Sequence, residues 1–233
     1  MLTKETATEL VNPNHPILLE DANTIRLHHA LRHATSEWHS RLHRHPLMSV
    51  FLNDELTEQQ YHRSLQVLCG FYRIVDAILQ ERLSYFFPLS ATQYILPSRY
   101  AWLLADLAQY EEILQTQFQQ NWEKTPSNDW LKHICSTPAE LIGWLYVVEG
   151  SALGGKFLSQ RVRQKLGHSP RVGTHFFDGM GALTATQWQS FWDFAGAHCR
   201  SDEIEVAVEG ALKFFSMMHQ QMDGAFEEVP LNA

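Results

Sequence analysis

The spacing of apolar residues along the chain predicts helices almost throughout. Between Thr24 and Arg44, for example, apolar side chains recur every three or four residues, which places them on one face of a helix. The same period returns in later segments, and no valine- or isoleucine-rich run alternates with polar residues as a strand would. The predicted helices cover residues 24–44, 57–79, 99–122, 137–166, 184–198 and 201–222.

Capping signals mark the starts of three of these helices. In a capping box, a threonine side chain accepts a hydrogen bond from a backbone N–H three residues on, and a Glu or Gln there bonds back. Pro138 adds the proline that favours a first helical position. The predicted boxes are Thr57 with Gln60, Thr137 with Glu140 and Thr184 with Gln187.

These elements predict an all-α, single-domain helical bundle. Residues 1–22 contain Pro13 and Pro16 and show no clear period, so we expect an N-terminal arm or flexible tail. The helical domain is expected over residues 23–228, followed by a C-terminal tail at 229–233. No internal repeat or interdomain linker interrupts it.

Composition narrows the function classes. The chain has 233 residues, 45% of them hydrophobic, and a formal net charge of -8, which argues against a nucleic-acid partner. No stretch of roughly 18 apolar residues predicts a membrane span, and the first residues lack the apolar core of a signal peptide. We therefore expect a cytoplasmic protein with no membrane partner. Its three isolated cysteines, Cys69, Cys135 and Cys199, are expected to be buried thiols.

Three glycines interrupt an otherwise helical pattern. Gly150, Gly154 and Gly155 lie within the predicted helix 137–166, where each destabilises the helix by roughly 1 kcal/mol relative to alanine. They let another helix pack closely, or they let a flat ligand lie against bare backbone. On the residues alone, both explanations stay open.

Among the histidines of the first predicted helix, His39 is singled out by its position next to the apolar face. It lies at the shoulder of the apolar face, and Thr35 and Arg32 continue that shoulder toward the N-terminus. A hydrogen-bonded packing role is the more common one for such a histidine. His39 and His43 also form half of a possible zinc site, although no third ligand is identifiable. Other histidines are expected to be solvated or in loops: His28, His29, His33 and His45.

Three segments carry a resemblance to a known family. They are LRHATSEWHSRL (residues 31–42), LTEQQYHRSLQVLCGFYRIVDAIL (residues 56–79) and LYVVEGSALGGKFL (residues 145–158). They resemble the first, second and distal helices of the biliverdin-producing heme oxygenases, especially the bacterial branch. The likeness extends from about residue 24 to residue 222.

The resemblance implies a bundle with heme sandwiched between the first, proximal helix and a glycine-kinked distal helix. His39 would then bind the heme iron, and Arg32 would pair with a heme propionate. The implied cofactor-binding residues are Arg32, Thr35, His39, Gly150, Gly154 and Gly155, and the implied catalytic residues are Gly150, Ser151 and Gly154.

The implied activity is heme oxygenase chemistry. The ring of heme, which is both cofactor and substrate, would be opened by O2 to biliverdin, with release of carbon monoxide and ferrous iron. Electrons would come from an external donor such as ferredoxin or a reductase.

Several positions depart from the family pattern. Ser151 stands where mammalian-type enzymes carry an aspartate that organises water, and His43 stands where relatives carry a glutamate. Gln189 and Asp193 lie where mammalian-type enzymes offer cations to the propionates. These departures keep open a non-catalytic heme-binding carrier or sensor with the same fold. A relative that acts on thiamin-like molecules is a third candidate, although no cysteine adjoins Glu149 in sequence.

Overall fold

The computed structural model describes residues 21–88, 94–114, 135–169 and 172–228, and within these ranges it contains helices and turns but no β-strand. The all-α prediction is confirmed. None of the helices in these ranges is long and apolar enough to cross a membrane. The helices are α1 (Ala22–Arg44), α2 (Pro46–Ser49), α3 (Glu58–Phe86), α4 (Arg99–Leu114), α5 (Pro138–Leu166), α6 (His175–Asp178), α7 (Thr184–His198) and α8 (Ile204–Glu228).

Some predictions fall outside the described residues. They concern residues 1–20 of the N-terminal arm, residues 115–122 of the third predicted helix and the tail at 229–233. At the start of the described chain, Asp21 caps α1 by accepting a hydrogen bond from the Thr24 backbone N–H at 2.8 Å. Helix α1 thus begins at Ala22, at the edge of the predicted arm.

The local capping signals explain where the two longest helices begin. At the start of α5, the Glu140 N–H donates to Thr137 Oγ1 at 3.2 Å, and Glu140 Oε2 accepts from the Thr137 N–H at 3.3 Å. The same reciprocal pair links Thr57 and Gln60 at the start of α3. Helix α5 ends at Gly167, whose φ of +72° is a left-handed conformation that glycine adopts without strain. Both of these predicted capping boxes are confirmed.

The third predicted capping box is wrong. Thr184 is the first residue of α7, Leu183 precedes it as the N-cap, and no side chain caps the helix. The Gln187 side chain instead donates to the Ile95 carbonyl oxygen and to Glu149 Oε1, each at 2.9 Å. A hydrogen bond from this donor stabilises a buried carboxylate more than it would stabilise a solvated helix end, because an unpaired buried charge costs much free energy.

His45 also differs from the sequence expectation. It is 5% exposed, and its Nδ1 accepts a hydrogen bond from the Leu47 backbone N–H, so that it caps α2. Its Nε2 lies 3.3 Å from Asp223 Oδ1 on α8. His45 was expected to be solvated or in a loop, and it does lie in the turn between α1 and α2, but it is buried there and not solvated. His28 likewise packs half-buried against Trp192, with ring centroids 5.0 Å apart.

Helix α8 supports both α1 and α5, and its contact with α5 is unusually close. A Cβ atom on Gly143 would lie 1.9 Å from the Ala207 carbonyl oxygen, and one on Gly210 would lie 2.5 Å from that of Glu140. Neither backbone oxygen can move aside as a flexible side chain would. The two glycines are therefore required for the backbones of α5 and α8 to touch, and α1 also packs against α8.

We expect Gly143→Ala to lower the free energy of unfolding by about 3 kcal/mol or more, because the added methyl group displaces α8. Gly224→Ala on α8 is the control, since its Cβ position has no atom within 4 Å. The control variant should gain up to about 1 kcal/mol from helix propensity. Urea unfolding followed by circular dichroism measures both, and equal stabilities of the two variants would contradict the close contact.

Candidate functional site

Helices α1 and α5 approach each other at Thr35, one turn before His39. Thr35 is 4% exposed, and its Oγ1 donates to the Leu31 carbonyl oxygen at 2.7 Å. It also lies close enough to Tyr146 on α5 to oppose the rise that burial causes in the pKa of that hydroxyl. His39 follows one turn later on α1, and Gly150 follows one turn later on α5. Thr35 therefore lies where the two helices meet, rather than pointing its hydroxyl into open space.

His39 is half-buried and lies against a second imidazole. Its Nε2 is 3.3 Å from Nε2 of His43, and the two rings meet edge to face with centroids 4.4 Å apart. Burial, with a smaller contribution from His43, lowers the pKa of His39 to about 4. The imidazole is therefore neutral at physiological pH, which is the form that binds a metal. Its predicted role as iron ligand fits this state and stays a prediction.

The three glycines of the sequence motif have different surroundings within the continuous helix α5. A Cβ on Gly155 would lie 2.3 Å from the Phe177 carbonyl oxygen, so this glycine is explained by close packing against α6. Gly150 faces the Trp188 ring, 3.6 Å from its Cβ position. Among the residues that the structure describes, no atom outside the helix's own backbone lies within 4 Å of the Cβ position of Gly154. Of the two explanations that the sequence left open, close packing holds at Gly155, whereas bare backbone beside open space describes Gly154.

Ser151 and Tyr72 bring a third helix to this region. The Ser151 hydroxyl donates to the Val148 carbonyl oxygen at 2.7 Å, and Ser151 lies close enough to Tyr72 on α3 to influence the pKa of its hydroxyl. Burial raises the pKa of Tyr72 to about 12, so its proton is retained at neutral pH. Ser151 is otherwise exposed, on the turn of α5 that carries Gly150 and Gly154.

Arg32, the predicted propionate partner, lies on α1, whereas Gln189 and Asp193, the positions that depart from the family's cations, lie on α7. Arg32 is exposed on α1. Burial raises the pKa of the Tyr146 hydroxyl on α5, and the positive charge of Arg32 opposes this rise, which indicates that Arg32 lies on the side of α1 that approaches α5. On α7, Gln189 Nε2 donates to Asp193 Oδ1 at 2.8 Å on the exposed side of the helix. Arg32 is thus the cation that the structure places beside the α1–α5 contact.

Sequence reasoning missed a buried polar network directly before Gly150. Glu149 is 2% exposed, and its Oε2 accepts a hydrogen bond from Arg99 Nη2 at 2.7 Å. Its Oε1 accepts from the Tyr94 hydroxyl at 2.6 Å and from Gln187 Nε2 at 2.9 Å. The available signal was a single carboxylate in the otherwise apolar run LYVVEGSAL, but its three partners are 38 to 55 positions away in sequence.

The alternative of a zinc site finds no support in the part of the chain that the structure describes. Within those ranges no three His, Cys, Asp or Glu side chains are grouped so as to hold a metal ion. The neighbour that the structure gives to His39 is His43, with no third ligand beside the pair.

Comparisons with known proteins identify this arrangement of helices. A family model described as heme oxygenase matches residues 25–223. The chain belongs to the heme oxygenase family. The resemblance seen in the sequence is thereby confirmed, and the bundle is a heme oxygenase fold.

Solved heme oxygenases share the fold at low sequence identity. The enzyme from Leptospira interrogans superposes with a TM-score of 0.67 at 20% identity, over 87% of this chain and 99% of that one. Heme oxygenase-1 from the cyanobacterium Synechocystis, in complex with heme, gives a TM-score of 0.63 at 17% identity, over 87% and 93% of the two chains. A comparison with curated proteins finds no match.

The depressed pKa of His39 predicts a specific titration. In the heme-free protein the ring should remain neutral at pH 5, whereas an unfolded histidine is protonated below its ordinary pKa of 6.5. Because the unfolded chain then binds the extra proton, the contribution of His39 to stability is present above pH 6.5 and is lost as the pH falls toward 4. NMR of the imidazole nitrogens, assigned with His39→Gln, measures the midpoint, and a value near 6.5 would contradict this burial.

Proposed function

We propose that this heme oxygenase family member binds heme between α1 and α5 and opens the heme ring to biliverdin, carbon monoxide and ferrous iron. The observation that carries the proposal is Gly154. Among the described residues, no atom outside the helix's own backbone lies within 4 Å of its Cβ position, and Tyr146 on the same helix lies close to Thr35 on the helix of a neutral histidine. Bare backbone lets a flat ring lie close to a helix, and a neutral imidazole can bind the iron of such a ring.

The residues present fit this group. His39 offers a neutral imidazole nitrogen for the iron, and Arg32 offers a guanidinium for a propionate, which it can bind in bidentate fashion. Gly154 would face the heme, and Gly150 would contact it through its backbone, with the Trp188 ring 3.6 Å from the Cβ position of Gly150. The structure of the Synechocystis relative with heme supports the same ligand here.

The chain's own residues shape the environment of the reaction. When bound, heme supplies both the oxygen-activating iron and the ring that is opened, and an external donor such as ferredoxin or a reductase supplies the electrons. Tyr72 keeps its proton at Oη and lies close to Ser151, so a hydroxyl donor would stand beside the turn of α5 that carries Gly150. The buried aromatic rings of Trp188, Phe191 and Trp192 exclude water from the other side of Gly150.

The cysteines argue against chemistry on thiamin-like molecules. All three are buried, and burial raises the pKa of Cys69 to about 12 and that of Cys199 to about 11. Burial also raises the pKa of Cys135. A nucleophilic cysteine needs the opposite shift, since the thiolate is the reactive form.

The direct test adds hemin to the purified protein and then adds a reducing system and oxygen. We expect a Soret band of histidine-ligated heme that decays into the spectrum of biliverdin. A band that persists through many reducing equivalents would instead identify a heme carrier or sensor. Failure to bind hemin would contradict the proposal altogether.

The iron ligand is tested by His39→Ala. This variant should lose the spectrum of histidine-ligated heme, and added imidazole should restore it, because the small molecule replaces the missing ligand. His33→Ala removes an exposed histidine of the same helix and should leave the spectrum unchanged. An unaltered spectrum of His39→Ala would show that another residue binds the iron.

The open space at Gly154 gives a second test. Gly154→Leu should leave the heme-free protein folded with nearly unchanged stability, yet weaken heme binding roughly tenfold or more, because the added side chain occupies the ligand's place. Gly155→Ala should do the reverse and destabilise the heme-free fold by about 1–3 kcal/mol through its clash with Phe177. Hemin titration and thermal unfolding separate the two effects. Normal heme affinity of Gly154→Leu would place the ligand elsewhere.

A further inference from the structure

A buried ion pair lies immediately before the glycines that the proposed function uses. The side chains of Arg99 and Glu149 are 3% and 1% exposed, and their charged atoms are 2.7 Å apart. Moving two charges out of water costs so much that a well-packed apolar pair of similar size often stabilises a fold as well or better. Fold stability alone therefore does not explain why α5 carries a carboxylate at this position.

The pair ties separate parts of the chain to one residue of α5. Glu149 accepts hydrogen bonds from Tyr94, in the segment before α4, and from Gln187, in the first turn of α7. Arg99 is the first residue of α4, and its Nη1 donates to the Pro97 carbonyl oxygen at 2.8 Å. All four lone-pair directions of a carboxylate are available to such donors, and here both oxygens are used.

The hydrogen bonds around Glu149 reach two neighbours of Gly150, which are the Val148 carbonyl group on α5 and, through Gln187, the Trp188 ring on α7. Gln187 precedes Trp188, whose ring lies 3.6 Å from the Cβ position of Gly150. Arg99 Nη2 also donates to the Val148 carbonyl oxygen at 3.5 Å, the same oxygen that accepts from the Ser151 hydroxyl. A shift of Glu149 would therefore move the helix turn of Gly150 and the indole ring relative to each other.

We propose that Glu149 is a positioning residue, whose buried bonds to Arg99, Tyr94 and Gln187 set the place of Gly150 relative to the Trp188 ring and thereby the in-plane seat of the bound ring. The inference rests on the proposed function for the nature of that ring. Glu149 acts through Gly150 and Trp188 and does not itself contact the ligand. Because the seat decides which edge of the ring is presented, loss of the network should alter the biliverdin isomer formed.

The test replaces the pair with apolar side chains of similar size, Arg99→Met with Glu149→Leu. The matched control, Arg163→Met with Asp178→Leu, removes another ion pair of α5, which joins this helix to α6 at 2.9 Å. In the heme-free proteins, amide hydrogen exchange at residues 148–155 should rise about tenfold or more in the first double variant, and should stay at the wild-type level in the control. Unchanged exchange in both would overturn the proposal.

The in-plane orientation of the bound heme is measured by NMR of the heme methyl groups in the ferric cyanide complex, and by the ratio of biliverdin isomers. The Arg99→Met/Glu149→Leu protein should show a second set of methyl signals and a mixture of isomers, whereas the control should match the wild type. A single seat in both proteins would also overturn the proposal.

Glu149→Gln keeps an oxygen for Tyr94 and Gln187 but loses the charge, so it should give an intermediate pattern. It carries the same test should the double variant fail to fold. If the wild type does not bind heme, the proposed function fails, and hydrogen exchange in the heme-free protein still decides the positioning role of Glu149.

Discussion

The contact of α5 with α8 is the constraint on which the rest of the structure depends. Backbone touches backbone at Gly143 and Gly210, which leaves α5 no freedom to slide or rotate against α8. Because α1 packs on α8 as well, one helix fixes the relative place of the two that carry His39 and Gly154. Thr35 and Tyr146 then bring α1 and α5 close to each other one turn before His39 and Gly150. The relative position of these two helices thus depends on packing elsewhere in the bundle.

The glycines of α5 show how one residue type serves opposite purposes within a single helix. At Gly143 and Gly155 a backbone oxygen of a neighbouring helix occupies the place of the missing side chain. At Gly154 no atom of another described element lies within 4 Å of the Cβ position. Composition cannot separate these cases, because both remove the same methyl group. The distinction depends on which helix lies opposite, and so it became visible only with the fold.

What the sequence predicted well was local. The capping boxes at Thr57 and Thr137 involve partners three residues apart, so their residue types and spacing were sufficient. The box at Thr184 failed because its partner Gln187 is engaged by Glu149, 38 positions away, and His45 was misjudged because Asp223 approaches it from another helix. For the candidate site, the family resemblance supplied the two helices and the chemistry proposed for them, whereas Arg99, Tyr94 and Trp188 come from segments whose approach no local pattern encodes. Hydrogen bonds within one helical turn can be predicted from residue types and spacing. Hydrogen bonds between segments that are distant in the chain depend on how the helices pack.

The burial of the three cysteines has a consequence for the lifetime of such a protein. Oxidation by peroxide begins with the thiolate, and a thiol whose pKa is raised by burial is almost never in that form. With their sulfhydryl groups protonated and shielded, the three cysteines offer peroxide few places to start, and this protection comes from the same core that holds the helices together.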